Sequence, residues 1–317
     1  MQSLSLAFLP FFVLPIHIAT TPATTTAPVT ERTVASAPRS TPRASEPTPA
    51  TRIAPAVPVG HRAAPSGCDE AVVPSYTSLS YGTPTRGRLS DAQFLGESEF
   101  VHHVDAQNCN FWGTDELVGV VGRVARKVAA ENPGVRLTVG ELSQEEGGDI
   151  VGHSSHENGR DVDFGFYWVD EDGLPYEPSR LINVRADKTA VVDGKTLTFD
   201  VARNWKIIEA LLTDEEADLN IALINVRIRR WLLDYARESG VSDDLRHRAS
   251  VVMRVPKRGA HPHLNHFHVR IYCPEDDGQC RDFNGLWDWV ADARAERAEA
   301  SDALARAEQP AETLARR

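Results

Sequence analysis

Residues 261–272 read HPHLNHFHVRIY, and the last seven of them alternate in a way that only an extended strand explains. Side chains on a strand point to opposite faces in turn. A strand over 265–272 therefore places His266, His268 and Arg270 on one face and Phe267, Val269 and Ile271 on the other. The apolar face suits a core. The other face brings two imidazoles to a common point, where one can bind a metal ion and the other can carry protons.

A second cluster lies a hundred residues earlier. Residues 153–164 read HSSHENGRDVDF. Gly159 permits a turn, and a strand from Val162, VDFGFYW, sends Asp163 to the face opposite Val162 and Phe164. His156 and Asp163 form the spacing H-x-x-x-x-x-x-D. Catalytic zinc commonly takes three protein ligands and keeps a fourth position for water. His156, Asp163 and His268 make such a set. Asp161 is the alternative carboxylate, and Arg270 is suited either to a substrate carboxylate or to an ion pair. No H-E-x-x-H is present, so the helix-borne metallopeptidase arrangement is absent. On the residues alone, a histidine-rich polar surface and a closed structural zinc site both remain open.

Working outward, Thr114 is an N-cap followed by Asp115 and Glu116, and Leu117, Val120, Val121, Val124 and Val128 recur at helical spacing. VRLTV at 135–139 and LNIALINV from Leu219 read as strands. Helices are expected at about 200–212 and 227–239, with Gly240 as a stop. ASVVMRV at 249–255 reads as a strand, paired antiparallel with 265–272 across the loop PKRGAHPHL. Phe111 and Trp112 could line a substrate groove, but core packing is the preferred reading. The fold class is α+β: a central antiparallel sheet, flanking helices and a zinc-binding cleft on one sheet face.

The ends of the chain differ from its middle. Residues 1–19, MQSLSLAFLPFFVLPIHIA, read as a signal peptide, although no Lys or Arg precedes the apolar run. Residues 20–66 are rich in Thr, Pro, Ala and Ser and hold no aromatic residue, the composition of a disordered spacer. The folded domain is expected over 67–289, with a charged helical or disordered tail over 290–317. The four cysteines suit two disulfides in an oxidising compartment, periplasmic or secreted. Cys273 and Cys280 bracket the short loop PEDDGQ and are paired, which leaves Cys68 for Cys109. A formal net charge of -11 argues against nucleic acid as a partner. No apolar run past the leader is long enough for a transmembrane segment. A homodimer is compatible with all of this.

HSSHENGRDVDF followed by HLNHFHVRIYCPEDDGQC resembles the penicillin-insensitive murein endopeptidases, within the lysostaphin, D-Ala-D-Ala metallopeptidase and hedgehog group of zinc folds. Ser154, His156, Gly159 and Asp163 also match the S-x-H-x-x-G-x-x-x-D shared with the D-Ala-D-Ala peptidases. The resemblance spans roughly residues 68–283 and includes FWGTDEL. It implies one zinc ion held by His156, Asp163 and His268. His266 would be a catalytic base or stabiliser, and His263 a supporting catalytic histidine. The implied reaction is hydrolysis of the D-alanyl to meso-diaminopimelate amide in peptidoglycan peptide stems, without sensitivity to β-lactams. A carboxypeptidase of the same fold, or a wall-binding module, is the alternative. Some members carry a further metal at an interface. His153 matches its first ligand and Asp193 suits the second, but Thr196 stands where a histidine is wanted.

Overall fold

The computed structural model describes residues 77–104 and 109–308. The leader, the spacer and Cys68 lie outside them, as do residues 309–317 of the tail. In chain order the elements are β1 (Leu79–Thr83), β2 (Arg86–Ser90), β3 (Gln93–Phe94), β4 (Val101–His103), β5 (Trp112–Gly113), α1 (Asp115–Glu131), β6 (Leu137–Val139), β7 (Asp161–Gly165), β8 (Trp168–Val169), β9 (Pro175–Tyr176), β10 (Thr189–Val192), β11 (Lys195–Phe199), α2 (Val201–Leu212), β12 (Leu219–Leu223), α3 (Val226–Glu238), α4 (Asp243–Val252), β13 (Met253–Arg254), β14 (His266–Ile271) and α5 (Asp288–Glu308). The class is α+β.

The central sheet has six strands in the order β13-β12-β14-β7-β6-β4. The four middle strands are antiparallel to one another. At the edges, β13 runs parallel to β12 and β4 runs parallel to β6. Val162 and Phe164 of β7, with Phe267, Val269 and Ile271 of β14, are at most 1% exposed and belong to the main core. Phe267 meets Phe166 edge to face at 5.1 Å, and Phe166 meets Phe199 in the same way. Helix α1 adds Leu117, Val120, Val121, Val124 and Val128 to that core. Its N-cap is Thr114, whose hydroxyl accepts from the Leu117 amide, with Asp115 and Glu116 in the first turn where the helix dipole favours them.

One expected strand is corrected. Ala249–Val252 close α4, and only Met253–Arg254 extend, pairing with β12 and not with β14. The cap explains it. Ser242 accepts from the Leu245 amide, and Asp243 and Asp244 sit in the first turn. A helix started there places Ala249 and Val252 in the core, so the β-branched pair is used helically. Strand β12 then takes the place beside β14.

The far end of β14 is pinned by several contacts. Cys273 and Cys280 form a disulfide with Cα atoms 5.7 Å apart. Its loop joins the β1–β2 hairpin, where the Gly82 amide donates to the Gln279 carbonyl and the Arg281 amide to the Gly82 carbonyl. Arg160, wholly buried, donates to the Ile271 and Arg281 carbonyls and to Asp282. Helix α5 docks beside this region. Arg294 and Arg297 pair with Asp218, and the Trp287 indole donates to the Asn220 carbonyl. Residues 298–307 of that helix are exposed.

The Cys273–Cys280 bridge closes a loop with a sequence separation of 7. The chain-entropy relation assigns about 2.5 kcal/mol to a loop of that size. The Cys273→Ser/Cys280→Ser double variant should therefore unfold in urea with roughly 2–3 kcal/mol less stability and an unchanged far-UV spectrum. An unaltered midpoint would mean that the Arg160 and Gly82 contacts hold the loop unaided.

Candidate metal centre

Register builds this site. Strand β14 opposes β7 with His268 across from Asp163, Arg270 across from Asp161 and His266 across from Gly165. Directly opposed side chains share a face. One face of the pair is therefore a polar ladder of Asp161, Asp163, His266, His268 and Arg270, every member buried. On the other side of β7, the Gly140 amide donates to the Asp163 carbonyl and the Asp163 amide to the Glu141 carbonyl. Asp163 is thus held from both flanks.

His156 enters from the loop before β7. Its backbone φ is 75°, a region that side-chain-bearing residues seldom occupy and that costs on the order of 1–3 kcal/mol. Several bonds hold it there. Its amide donates to Asp161 Oδ2 at 2.9 Å, and its carbonyl accepts from the Ser143 hydroxyl, which itself accepts from the Gly159 amide. Gly159 has φ +74, and a Cβ there would lie 2.7 Å from Leu89 Cδ2, so the turn requires glycine. The ring's Nδ1–H donates to the Leu142 carbonyl at 2.6 Å. A carbonyl only accepts, so the lone pair is left on Nε2.

That lone pair faces two other donors. His156 Nε2 lies 3.1 Å from His268 Nδ1 and 3.4 Å from Asp163 Oδ1, and those two atoms are 3.1 Å apart. A tetrahedral ion with bonds of about 2.0–2.2 Å spaces its ligands about 3.3 Å apart. The three atoms form a triangle of that size, so the residues fit a metal ion of the zinc kind. Burial would raise the Asp163 carboxyl, but the His266, His156 and His268 rings around it hold it well below the usual range. It is an anion at any physiological pH.

Asp161 does a different job. It lies 3.5 Å from His268 Nε2, the nitrogen turned away from the triangle. Both its oxygens take Arg270, at 2.5 and 2.9 Å. Burial would raise this carboxyl too; Arg270 and His268 keep it well below its ordinary value. Arg270 is therefore committed to an internal pair. A carboxylate behind a ligand's far nitrogen fixes ring orientation and tautomer.

Two more histidines border the triangle. His266 Nε2 is 3.5 Å from Asp163 Oδ1, and its Nδ1 meets Asn265 Oδ1 at 2.8 Å. His263, at φ 49, donates Nδ1–H to the His261 carbonyl at 2.7 Å, and its ring centroid lies 4.9 Å from that of His266. Burial pushes both imidazoles down to about 4, leaving each neutral near pH 7. These rings line a cleft of about 530 Å³ together with His153, Arg254 and Lys257.

His153 has a partner that its sequence context hides. Its Nε2 meets Glu141 Oε2 at 2.5 Å, a bond that raises its pKa, and its Nδ1 is 3.9 Å from Asp163 Oδ2. Glu141 follows strand β6, and its one outward signal is an acid directly after a buried strand and Gly140. Asp193 and Thr196 are exposed on the β10–β11 hairpin, and among the described residues no candidate metal group contains either. Phe111 and Trp112 are core, Phe111 stacking on His103.

Arg270→Ala should strand Asp161 as a buried, unpaired charge and cost about 3–5 kcal/mol in chemical denaturation. Asp161→Asn/Arg270→Met should recover most of that loss. Equal instability of the single and double variants would show that the pair is not what matters.

Residues 80–293 match the sequence profile of the penicillin-insensitive murein endopeptidases. Proteins of that name from Escherichia coli O1:K1 / APEC and from Escherichia coli strain SMS-3-5 are each 26% identical to this chain over 211 residues, which covers 65% of this chain and 70% of the relative. The matched residues include β7, β14, His156 and the disulfide loop, that is, every part of the centre described above. The chain belongs to the penicillin-insensitive murein endopeptidase family.

Proposed function

We propose that this protein is a zinc metallo-endopeptidase of the cell envelope, periplasmic or secreted, that hydrolyses the D-alanyl to meso-diaminopimelate amide in peptidoglycan cross-links. The observation that carries the reading is the triangle of His156 Nε2, His268 Nδ1 and Asp163 Oδ1, with edges of 3.1–3.4 Å. It supplies three ligands and leaves a position open, as hydrolytic zinc sites do, whereas structural sites are closed by four. Among the described residues no helix is long and apolar enough to cross a membrane. Membership of the murein endopeptidase family supports the substrate, peptide stems of murein.

Zinc held by these ligands would supply a Lewis acid for the scissile carbonyl and for the attacking water. The chain's own residues do the rest. Asp163, kept anionic, contributes the negative charge of the ligand set. His266, neutral and beside the ligands, accepts the proton of the attacking water and passes it to the leaving amine. His263, neutral and with its lone pair on Nε2, supports that transfer as a second proton acceptor. Asp161 and Arg270 lock the ring of His268. No serine nucleophile takes part, so β-lactams have nothing to acylate.

Cross-linked muropeptide dimers incubated with the purified protein should become monomers by mass analysis. A chelator should stop the reaction and zinc should restore it. Release of a terminal D-alanine with dimers left intact would make the protein a carboxypeptidase. Full turnover in metal-free protein would remove the zinc reading, and two-ended binding to the wall with no cleavage would leave only a binding module.

The histidines should separate by role. His268→Ala and Asp163→Ala should lose zinc and activity together, while Asp161→Asn keeps the metal. His266→Ala should keep about one zinc per chain and lose turnover by about 10²–10⁴. His263→Ala should also keep the metal, with a smaller loss. Metal analysis and turnover on the same preparations check this. Zinc lost from His266→Ala and kept by His268→Ala would invert the assignment.

A further inference from the structure

A second group of nitrogen donors stands beside the triangle. His261, His263 and His266 each bring a ring nitrogen within 4.8 Å of the other two. None of these three residues belongs to the ligand set proposed above. The hydrogen bonds already described occupy Nδ1 of two of these rings. His263 Nδ1–H is committed to the His261 carbonyl and His266 Nδ1 to Asn265, so both lone pairs lie on Nε2. His261 stacks against His266, with centroids 5.7 Å apart and planes 17° from parallel. Its Nδ1 takes a long bond of 3.3 Å from the His263 amide, which is easily given up.

Mobility is available at one corner only. His263 and His266 are buried, while His261 is exposed on the irregular segment between β13 and β14, which turns at Gly259 with φ 90. Ligand nitrogens around zinc sit about 3.3 Å apart, so the three rings must close from a spacing of at most 4.8 Å, a movement that the exposed His261 can make. Three imidazoles suit zinc, copper or nickel and not magnesium or calcium. The group lacks a carboxylate of its own and must be drawn together, so it should bind more weakly than the set containing Asp163.

We propose that His261, His263 and His266 form a second, weaker transition-metal site whose occupation switches the enzyme off. The switching clause rests on the function proposed above: a metal on Nε2 of His263 and His266 takes the lone pairs that proton transfer needs. The binding clause does not rest on it. His261 is the residue that gives the cleft this sensitivity, since the other two have work in catalysis.

Equilibrium dialysis with zinc alone, on the full chain, tests the site. The parent protein should bind two ions, the second more weakly, and its turnover of muropeptide dimers should fall by about 10²-fold as the second binds. His261→Ala should keep the first ion and the turnover, and lose both the second ion and the inhibition. Asp163→Ala should lose the first ion and still bind one through the histidine group. His261 is exposed, so its replacement leaves the core untouched, and His261→Gln provides a second variant. Saturation of the parent at one ion, or a second ion retained by both His261 variants, would overturn the site. A second ion that binds without lowering turnover would overturn the switch. Two bound ions with no cleavage under any condition would count against the peptidase reading and leave the site standing.

Discussion

The hydrogen-bonded pairing of β7 with β14 fixes which side chains can meet. With His268 opposite Asp163 and Arg270 opposite Asp161, one face of two adjacent strands carries five polar groups and the other carries aromatic and branched apolar groups. A slip of β14 by one residue would exchange its faces, putting Phe267 and Val269 into the cleft and His268 and Arg270 into the core. The energetic penalty of that exchange is what makes the register unique. The ladder's charges are tolerated inside the protein because each is answered. Asp161 has Arg270 and Asp163 has the rings around it; off the ladder, the buried Arg160 likewise has Asp282 and two carbonyls.

The same ladder explains why a strained loop survives. His156 and His263 both sit at positive φ, yet both rings are aimed by a bond from Nδ1–H to a carbonyl. In each case the hydrogen bond of the ring accompanies the strained backbone and helps to offset its cost. The result is that Nε2 of each ring carries the lone pair before any ligand arrives, so little reorganisation is needed at the moment of binding.

Much of this was legible in the sequence, and the reasons are local. The alternation of HFHVRI requires a strand, Thr114 with two acids requires a helix start, and Gly159 allows the turn that returns His156 toward Asp163. What the sequence did not disclose depends on contacts between distant residues. Which ring nitrogen of His268 meets Asp161 and which meets Asp163 depends on register with a strand a hundred residues away. The bond between Glu141 and His153 joins two loops that no short-range pattern links. Residues 249–252 carry β-branched side chains and still close a helix, because the cap at Ser242 and burial of Val252 outweigh propensity.

Strand order bears on how the chain can assemble. Among the described residues β14 is the last strand in sequence, yet it is inserted between β12 and β7, in the middle of the sheet. Until residues 266–271 have emerged and docked, both neighbours present bare edges, and edges of that kind invite pairing with other chains. His156 and His268 are 112 residues apart, so the centre is among the last features to form, and such distant pairing is slow. A chain emerging from its N-terminus therefore passes through an edge-exposed stage, and His156 can meet His268 only once β14 has docked.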